Sequence, residues 1–346
     1  MDVDFAGKIA DKEELVKSCL YYADKEREIK RERNWFNMTQ GIIAIVNPVS
    51  ANGRTGKVWP KYEQVFHDEG IDLEVRFTEY PGHAIELART ALAEGYRRIM
   101  AVGGDGTTNE VINGLYREGD LLAKDIKLII FSQGTGCDFI RSFGIGKEIE
   151  DIVNIIRRER VREVDVAEVC YRNYAGKNET RLFLNVADTG IGASTAKLVN
   201  ESSKIYGGFL SYLIGVFRTL FSYKNKKTRV IIDGQEQYNQ YLNSVIIANG
   251  KYFGGGVMIA PEAELDSGKL NIVVLKNFSK MGIIVNLAKA YKGSHLSHPL
   301  VDSLQAEEIL LELEDEGSSE LELDGELVGV LPATFRILKD KLPILA

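Results

Sequence analysis

The sequence predicts an α/β fold: a doubly wound α/β domain followed by an antiparallel β-sandwich domain. Three observations predict it. Apolar runs of strand length alternate with helical stretches up to about residue 160. Each of the main runs ends in a turn rich in glycine or asparagine. Beyond that point strand follows strand with few helices between. A length of 346 residues suits two cores better than one.

The elements follow in order. Residues 1–38 are a polar lead segment. Leu15, Cys19, Leu20 and Tyr22 form a weak helical stripe, and Lys25 to Arg33 a charged run. This reads as one exposed helix docked by Trp35 and Phe36. Gly41 to Val46 is a continuous apolar run of buried-strand type, followed by Asn47-Pro48. A helix is expected over 56–69, a strand over Leu73–Thr78, and a helix over Ala84–Glu94 with Gly95 as its cap. Arg98–Val102 is the third strand, and a helix runs on from Asn109 to Tyr116. Ile126–Phe131 is the fourth strand. Strands separated by helices pair in parallel. The charged helix 149–159 closes this part. Strands are then expected at Arg162–Cys170, Thr180–Val186, Thr228–Ile232, Tyr241–Asn249, Lys269–Leu275 and Glu307–Glu314. Helices interrupt them near 194–222 and 280–292. The expected division is an extension over 1–38, an α/β domain over 39–160 and a sandwich over 161–332. A segment over 333–346 returns to the first domain.

A net charge of −7 excludes a nucleic-acid-binding composition. It also gives no global attraction to anionic membranes, so any membrane contact must be local and partly apolar. The three cysteines, Cys19, Cys137 and Cys170, fit neither a disulfide framework nor a zinc site. A reducing, cytoplasmic setting follows. Asp2, Asp4, Asp11 and Glu13, with no apolar signal core, argue against export. The uncharged stretch Ile205–Phe217 is shorter than the roughly 20 residues that span a bilayer. The expectation is a soluble or peripheral protein.

Three turns carry the chemistry. They are Asn47-Pro48-Val-Ser50-Ala-Asn-Gly53, Gly103-Gly104-Asp105-Gly106-Thr107 and Gly134-Thr135-Gly136-Cys137-Asp138. Ligands of open α/β sheets bind at the carboxyl ends of strands, where these turns fall. Glycine lets backbone N–H groups approach a phosphate, and helix N-termini favour negative charge. None of the turns is a Walker loop or a dinucleotide fingerprint. Any one alone reads equally well as a packing turn. The carboxylates of Asp105 and Asp138 tip the balance towards a ligand. A carboxylate beside phosphate oxygens is repulsive unless it holds Mg²⁺ or takes a proton, and either role suits phosphoryl transfer. The plain alternative is that Asp105, or Thr107, caps the following helix.

At these residues the sequence resembles the diacylglycerol kinase catalytic-domain superfamily, which includes bacterial lipid kinases, sphingosine kinases and ceramide kinases. Gly103–Thr107 with Thr108-Asn109-Glu110 is similar to the family's signature loop. Asn47, Pro48, Ser50 and Gly53 match its first nucleotide loop, Thr78 with Gly82-His-Ala84 a second segment, and Gly134, Thr135, Gly136, Asp138, Phe139 and Arg141 a third. Val164-Asp165-Val166, Asn185 with Gly190, and Gly254 to Pro261 continue the match. Leu265 to Leu270, Gly293 to Pro299 and Asp324-Gly-Glu326 complete it over about 41–346. The ordered set is specific, whereas Gly-Gly-Asp-Gly-Thr alone also occurs in NAD kinases.

The resemblance implies ATP in a cleft between two domains and a lipid hydroxyl attacking its γ-phosphate at a membrane surface. It implies Asp105, Asp138 and Glu326 as the acidic catalytic set, with either Asp105 or Glu326 as general base. The nucleotide contacts it implies are Asn47, Pro48, Ser50, Gly53, Thr78, Gly103, Gly104, Asp105, Gly106, Thr107, Asn109, Gly134, Thr135 and Gly136. Mg²⁺ accompanies ATP near Asp105. A homodimer is a further expectation. The chain departs from the family twice. Cys137 stands where an Asn is usual. Bacterial members also hold a structural Mg²⁺ through an Asp just before a glycine, and here Ser267 takes that place within the loop of Glu264, Ser267 and Lys269.

Other features stay open. His295 and His298 are three apart, but Pro299 follows and no third metal ligand is near in sequence. Ile205–Tyr223, followed by Lys224, Lys226 and Lys227, is either a buried helix or a lip of a lipid cleft. Two other functions compete with lipid phosphorylation. One is a kinase for NAD or another soluble alcohol, which would show a Gly-Thr-Pro-Thr-Gly-Ser-like run that is missing here. The other is a lipid-binding protein without catalysis, against which the acidic set argues.

Overall fold

The computed structural model describes residues 41–134, 136–201 and 223–346. The helix expected within 1–38 and nearly all of Ile205–Tyr223 lie outside the described residues. The first half runs β1 (Ile42–Val46), α1 (Ser50–Asp68), β2 (Leu73–Phe77), α2 (His83–Ala93), β3 (Arg98–Gly103) and α3 (Asp105–Leu115). A small hairpin follows, β4 (Tyr116–Arg117) and β5 (Asp120–Leu121), then β6 (Lys127–Ser132), α4 (Asp138–Phe143), α5 (Ile149–Arg158) and β7 (Val161–Val164). The second half runs β8 (Ala167–Arg172), β9 (Asn178–Phe183), β10 (Val186–Gly190), α6 (Ile191–Glu201), β11 (Lys226–Ile232) and β12 (Gln235–Ala248). It continues with β13 (Tyr252–Phe253), β14 (Val257–Met258), β15 (Leu270–Lys276), α7 (Lys280–Ala290) and the short turn of helix Ser294–Ser297. Last come β16 (Val301–Ala306), β17 (Glu308–Leu313), β18 (Glu320–Leu323), β19 (Glu326–Ile337) and β20 (Leu342–Leu345).

The first sheet has the order β2-β1-β3-β6-β20-β7. Strands β2, β1, β3 and β6 are parallel, as the intervening helices require. In β1, β3 and β6 both faces are buried, which is why these three read as apolar runs. Ile43, Ile45, Ile99 and Ile130 pack under α2 and α3. Ala44, Val46, Met100 and Phe131 face Trp59 and Phe66 of α1 and Ile152 and Ile156 of α5. The second sheet is antiparallel, ordered β10-β18-β19-β17-β11-β12-β15-β16, and β10 also pairs with β12. That pairing closes part of the sheet on itself, leaving fewer free edges. Val169, Phe183, Val245, Ile247, Leu311 and Phe335 fill its interior.

Two expectations need correcting. The segment Arg162–Cys170 is not one strand. β7 belongs to the first sheet, pairing with β20, and β8 belongs to the second, pairing with β19. The chain crosses over at Asp165-Val166, so the boundary falls after 164 and not at 160. Similarly, β19 stays in the second sheet to Ile337, and only β20 inserts between β6 and β7. Alternation alone cannot show this, because sheet membership is set by pairing partners far away in the sequence. The helix expected from 56 begins at Ser50, but Ala51, Asn52 and Gly53 have φ of 51°, 57° and 80°. That left-handed kink breaks the helical period. Among the described residues no helix is long and apolar enough to cross a membrane.

Candidate active site

Three loops leave the carboxyl ends of the adjacent strands β1, β3 and β6 and meet. The Asn47 amide donates to the Thr107 hydroxyl at 3.0 Å, and its Oδ1 accepts from the Val49 N–H at 3.1 Å. Pro48 accepts from the Gly56 N–H at 3.0 Å. A Cβ added to Gly134 would lie 2.7 Å from the Gly104 Cα, so these two loops touch backbone to backbone. The Ser50 hydroxyl stands beside Gly104. Thr78, at the end of β2, donates its N–H to Val46 at 2.9 Å and so sits on the same edge.

Asp105 opens α3. Neither it nor Thr107 supplies the helix cap, since the cap position is Gly104 with no side-chain bond. Its Oδ2 accepts from the Asp138 N–H at 3.3 Å. Gly136 lies between the two carboxylates. Burial, then Asp138, then Asp324 push the Asp105 carboxyl up to about 6. Burial also pushes Asp138 up, against the Gly255 N–H that Oδ2 accepts at 2.8 Å. Its Oδ1 is buried without a partner. Asp138 and Asp105 therefore face a cleft whose other wall is the second sheet.

That wall brings Glu326. Its Oε1 sits over Gly106, where an added Cβ would approach to 2.6 Å. Its Oε2 accepts from Arg181 at 2.6 Å. The hairpin that presents it turns through Asp324 and Gly325, with φ of 48° and 93°. Asp324 fixes the turn: its carboxylate accepts from Leu184, Asn185 and Val186 N–H groups and from the Asn109 amide. Burial still pushes its carboxyl up.

Several residues expected at the nucleotide are engaged within the protein itself. Asn109 is 3% exposed and fully engaged, donating to Leu182 and Asp324 and accepting from Arg181 and Asn113. It ties the two domains together and has no group left for ATP. Thr107 lies beneath Gly103 and braces the loop from inside. Gly53 supplies the kink of α1. Thr135 lies outside the described residues. Cys137 adopts φ of 54°, and its thiol accepts from the Ser132 hydroxyl at 2.9 Å and donates to Gly134 at 3.0 Å. Burial pushes this thiol up, away from the thiolate that reactivity requires.

The cleft holds about 230 Å³ and is lined by Asp105, Asp138, Asn185, Glu322 and Asp324. Glu322 and Asp188 are direct cross-strand partners, 7% and 1% exposed. Burial pushes Asp188 up to about 6 and Glu322 well above its ordinary value. Such a pair is tolerated when one of the two carboxyls keeps its proton, and the stronger upward push falls on Glu322. Beside them lies an apolar cavity of about 100 Å³, bounded by Ile246, Phe253, Ile259, Ile283 and Leu287. Asp188, Glu322, Asp324 and Arg181 escaped sequence reasoning as separate site residues. Asp324 carried a signal, since it shares a turn with Glu326; the others sit in strands whose partners sequence does not reveal.

His295 and His298 do not form a pair. His295 is buried, with its Nε2 on Ile259, and burial pushes it down. His298 accepts from Leu300. The loop at Ser267 does not fit a structural divalent ion. The Ser267 hydroxyl bonds the Glu264 and Lys269 carbonyls, each at 3.2 Å. The Lys341 ammonium lies 3.1 Å from Asp165 Oδ1 and 2.6 Å from the Asp266 carbonyl. A cation is already built into the chain there. In the cleft, by contrast, Asp138 Oδ1 is buried and unpartnered, and its carboxylate would suit a divalent metal.

Known proteins resemble this chain over both of its halves. Residues 41–169 match the diacylglycerol kinase catalytic domain, and residues 185–346 match the YegS C-terminal NAD kinase beta sandwich-like domain. A diacylglycerol kinase of Staphylococcus haemolyticus (strain JCSC1435) is 30% identical over 298 residues, 85% of this chain and 84% of its own length. That of Staphylococcus carnosus (strain TM300) is 27% identical over 302 residues, 87% and 93% of the two chains. A solved structure from Bacillus anthracis str. Sterne, named for diacylglycerol kinase, superposes with a TM-score of 0.68 at 26% identity. It covers 88% of this chain and 97% of that one.

Proposed function

The chain belongs to the diacylglycerol kinase family, whose members are lipid kinases that use ATP and a divalent metal, and we propose that its own reaction runs between Asp105 and Glu326. The observation that carries this reading is the meeting of the three glycine loops with the Asp324-Gly325-Glu326 hairpin across one cleft. The loops around Gly104, Gly106, Gly134 and Gly136 receive the triphosphate. The apolar cavity next to the cleft receives part of an acyl chain, so the acceptor is a membrane lipid such as diacylglycerol. ATP supply favours a cytoplasmic enzyme that visits the membrane periphery.

In the transfer step the lipid hydroxyl oxygen attacks the γ-phosphorus. The new O–P bond forms as the bond to the β–γ bridging oxygen breaks, leaving that electron pair on ADP. The hydroxyl proton passes to Asp105. A carboxyl at about 6 is mostly ionised at neutral pH yet basic enough to accept it. Glu326 is held by Arg181 and positions the acceptor. The metal, which we take to be Mg²⁺, would lie at Asp138 and neutralise charge on the phosphate oxygens. Among the described residues no group of three or more acidic, His or Cys side chains is placed to hold it, so Asp138 would share it with the phosphate oxygens.

The test is transfer from γ-labelled ATP to a panel of lipids in mixed micelles. Asp105→Asn should stay folded and lose on the order of 10²-fold or more in turnover. Turnover within about threefold of the parent would remove Asp105 from proton transfer. Product from soluble alcohols alone would favour the rival kinase.

A further inference from the structure

We propose that α7, Lys280–Ala290, is a membrane-docking helix that seats its outer face on an anionic lipid bilayer. The inference rests on the lipid-kinase reading and names the surface where that enzyme meets its substrate. The helix is apolar on two sides. Its inner side, with Ile283, Asn286, Leu287 and Ala290, lines the apolar cavity beside the cleft. On its outer side Met281 and Val285 are 66% and 59% exposed. Met281, Val285, Ala288 and Lys292 are spaced four, three and four apart and form one stripe, every member exposed. A single exposed apolar side chain is ordinary, but two on successive turns of a helix already apolar behind are not.

Charge points the same way. The whole chain carries −7, yet residues 277–301 contain no Asp or Glu and three lysines, Lys280, Lys289 and Lys292. The next acidic residue, Asp302, is occupied by the Lys276 ammonium at 3.0 Å and the Tyr238 hydroxyl at 2.7 Å. A cationic, apolar patch on an acidic protein matches an anionic bilayer, where each lysine near the surface raises partition by about fivefold. A second copy of the chain fits worse. Two turns of helix cover far less than the roughly 800 Å² per partner of a stable interface. A two-fold axis there would also set lysine against lysine. With α7 on the bilayer, an acyl chain reaches the cavity by crossing only the apolar flank of this helix.

The experiment uses the full chain and phosphatidylcholine vesicles with or without about 30 mol% phosphatidylglycerol. The parent should sediment with the anionic vesicles, less so as salt rises. Met281→Glu with Val285→Glu should weaken that binding at least about tenfold. Turnover of long-chain diacylglycerol in vesicles should fall similarly. Turnover of a short-chain diacylglycerol in solution should stay within about twofold, because the stripe faces away from the cleft. If that variant fails to fold, Lys289→Gln with Lys292→Gln takes its place and should lose the preference for anionic vesicles. Equal vesicle binding by parent and variants would overturn the proposal, as would a parent dimer that the substitutions dissociate. Vesicle binding without phosphate transfer to any lipid would leave the docking helix standing and sink the lipid-kinase reading.

Discussion

Asp105 lies where ionisation is opposed first by burial and then by the neighbouring Asp138. Its carboxyl, raised to about 6, sets two pH dependences of opposite sense. Activity needs the carboxylate, so kcat/KM should fall about tenfold per pH unit below about 6. Stability goes the other way. Between about 4 and about 6 the folded chain keeps a proton that the unfolded chain has released, so stability falls as pH rises through that window. Asp188, also raised to about 6, adds to the slope. Asp105→Asn should therefore be inactive but more stable at pH 8, by about 1–3 kcal/mol, with a shallower slope between pH 4 and 6. Urea titrations at several pH values check this, and a variant less stable than the parent at pH 8 would contradict it. The place of Asp105 in the cleft was legible in the sequence, because a carboxylate between two glycines at a strand end has few structural uses. The role we propose for it in place of Glu326 was not legible, because that proposal rests on Arg181, which β9 brings from a distant part of the chain. The internal role of Asn109 was hidden for a similar reason. An amide in a signature loop looks ligand-facing until its partners Leu182, Asp324 and Arg181 are in view.

At the scale of elements, the hairpin of β18 and β19 positions Glu326, and Asp324 holds the hairpin. Three backbone N–H groups of residues 184–186 and the Asn109 amide end on one carboxylate. Asp324→Ala would leave those buried donors unpartnered, each costing about 1–3 kcal/mol where no water can enter. The expected loss is about 3–5 kcal/mol in all, with turnover down on the order of 10²-fold as Glu326 drifts from Gly106. Asp324→Asn keeps part of the network and should fall between. Chemical denaturation beside turnover tests this, and an alanine variant within about 1 kcal/mol of the parent would refute the clamp. Element types were mostly readable, since β1, β3 and β6 are apolar runs of strand length between helices with clear periods. Sheet membership was not. β7 and β8 are separated by only Asp165 and Val166, and nothing local shows that these two residues step from one sheet to another.

At the scale of the molecule, the crossing points are tied by a lysine. Asp165 lies where the chain leaves the first sheet, Lys341 where it returns, and the loop Glu264–Lys269 between them belongs to the second sheet. Asp165 Oδ2 accepts from the Gly268 N–H at 2.6 Å while Oδ1 faces the Lys341 ammonium, which also donates to the Asp266 carbonyl. An ammonium thus serves where relatives of this family are expected to hold a hard divalent ion, and Ser267 closes the loop with neutral bonds to Glu264 and Lys269. Asp165 and the Asp266 carbonyl already face an internal cation, which disfavours added Mg²⁺ at this point. Without nucleotide, the parent's Tm should move by less than about 1 °C in millimolar Mg²⁺. Lys341→Met leaves Asp165, 1% exposed, with its charge unpaired and should cost about 2–4 kcal/mol, the lower end reflecting the partial exposure of the lysine. Ser267→Asp alone adds a carboxylate to a loop that already has its cation, so it should give little response to Mg²⁺. The two substitutions together remove the internal cation and restore a hard ligand, and Mg²⁺ should then raise Tm by several degrees, about 1–2 kcal/mol at the midpoint. Thermal melts of the four proteins with and without Mg²⁺ complete the cycle. A parent that Mg²⁺ stabilises in the absence of ATP, or a double variant that ignores the ion, would show that Lys341 does not stand in for it.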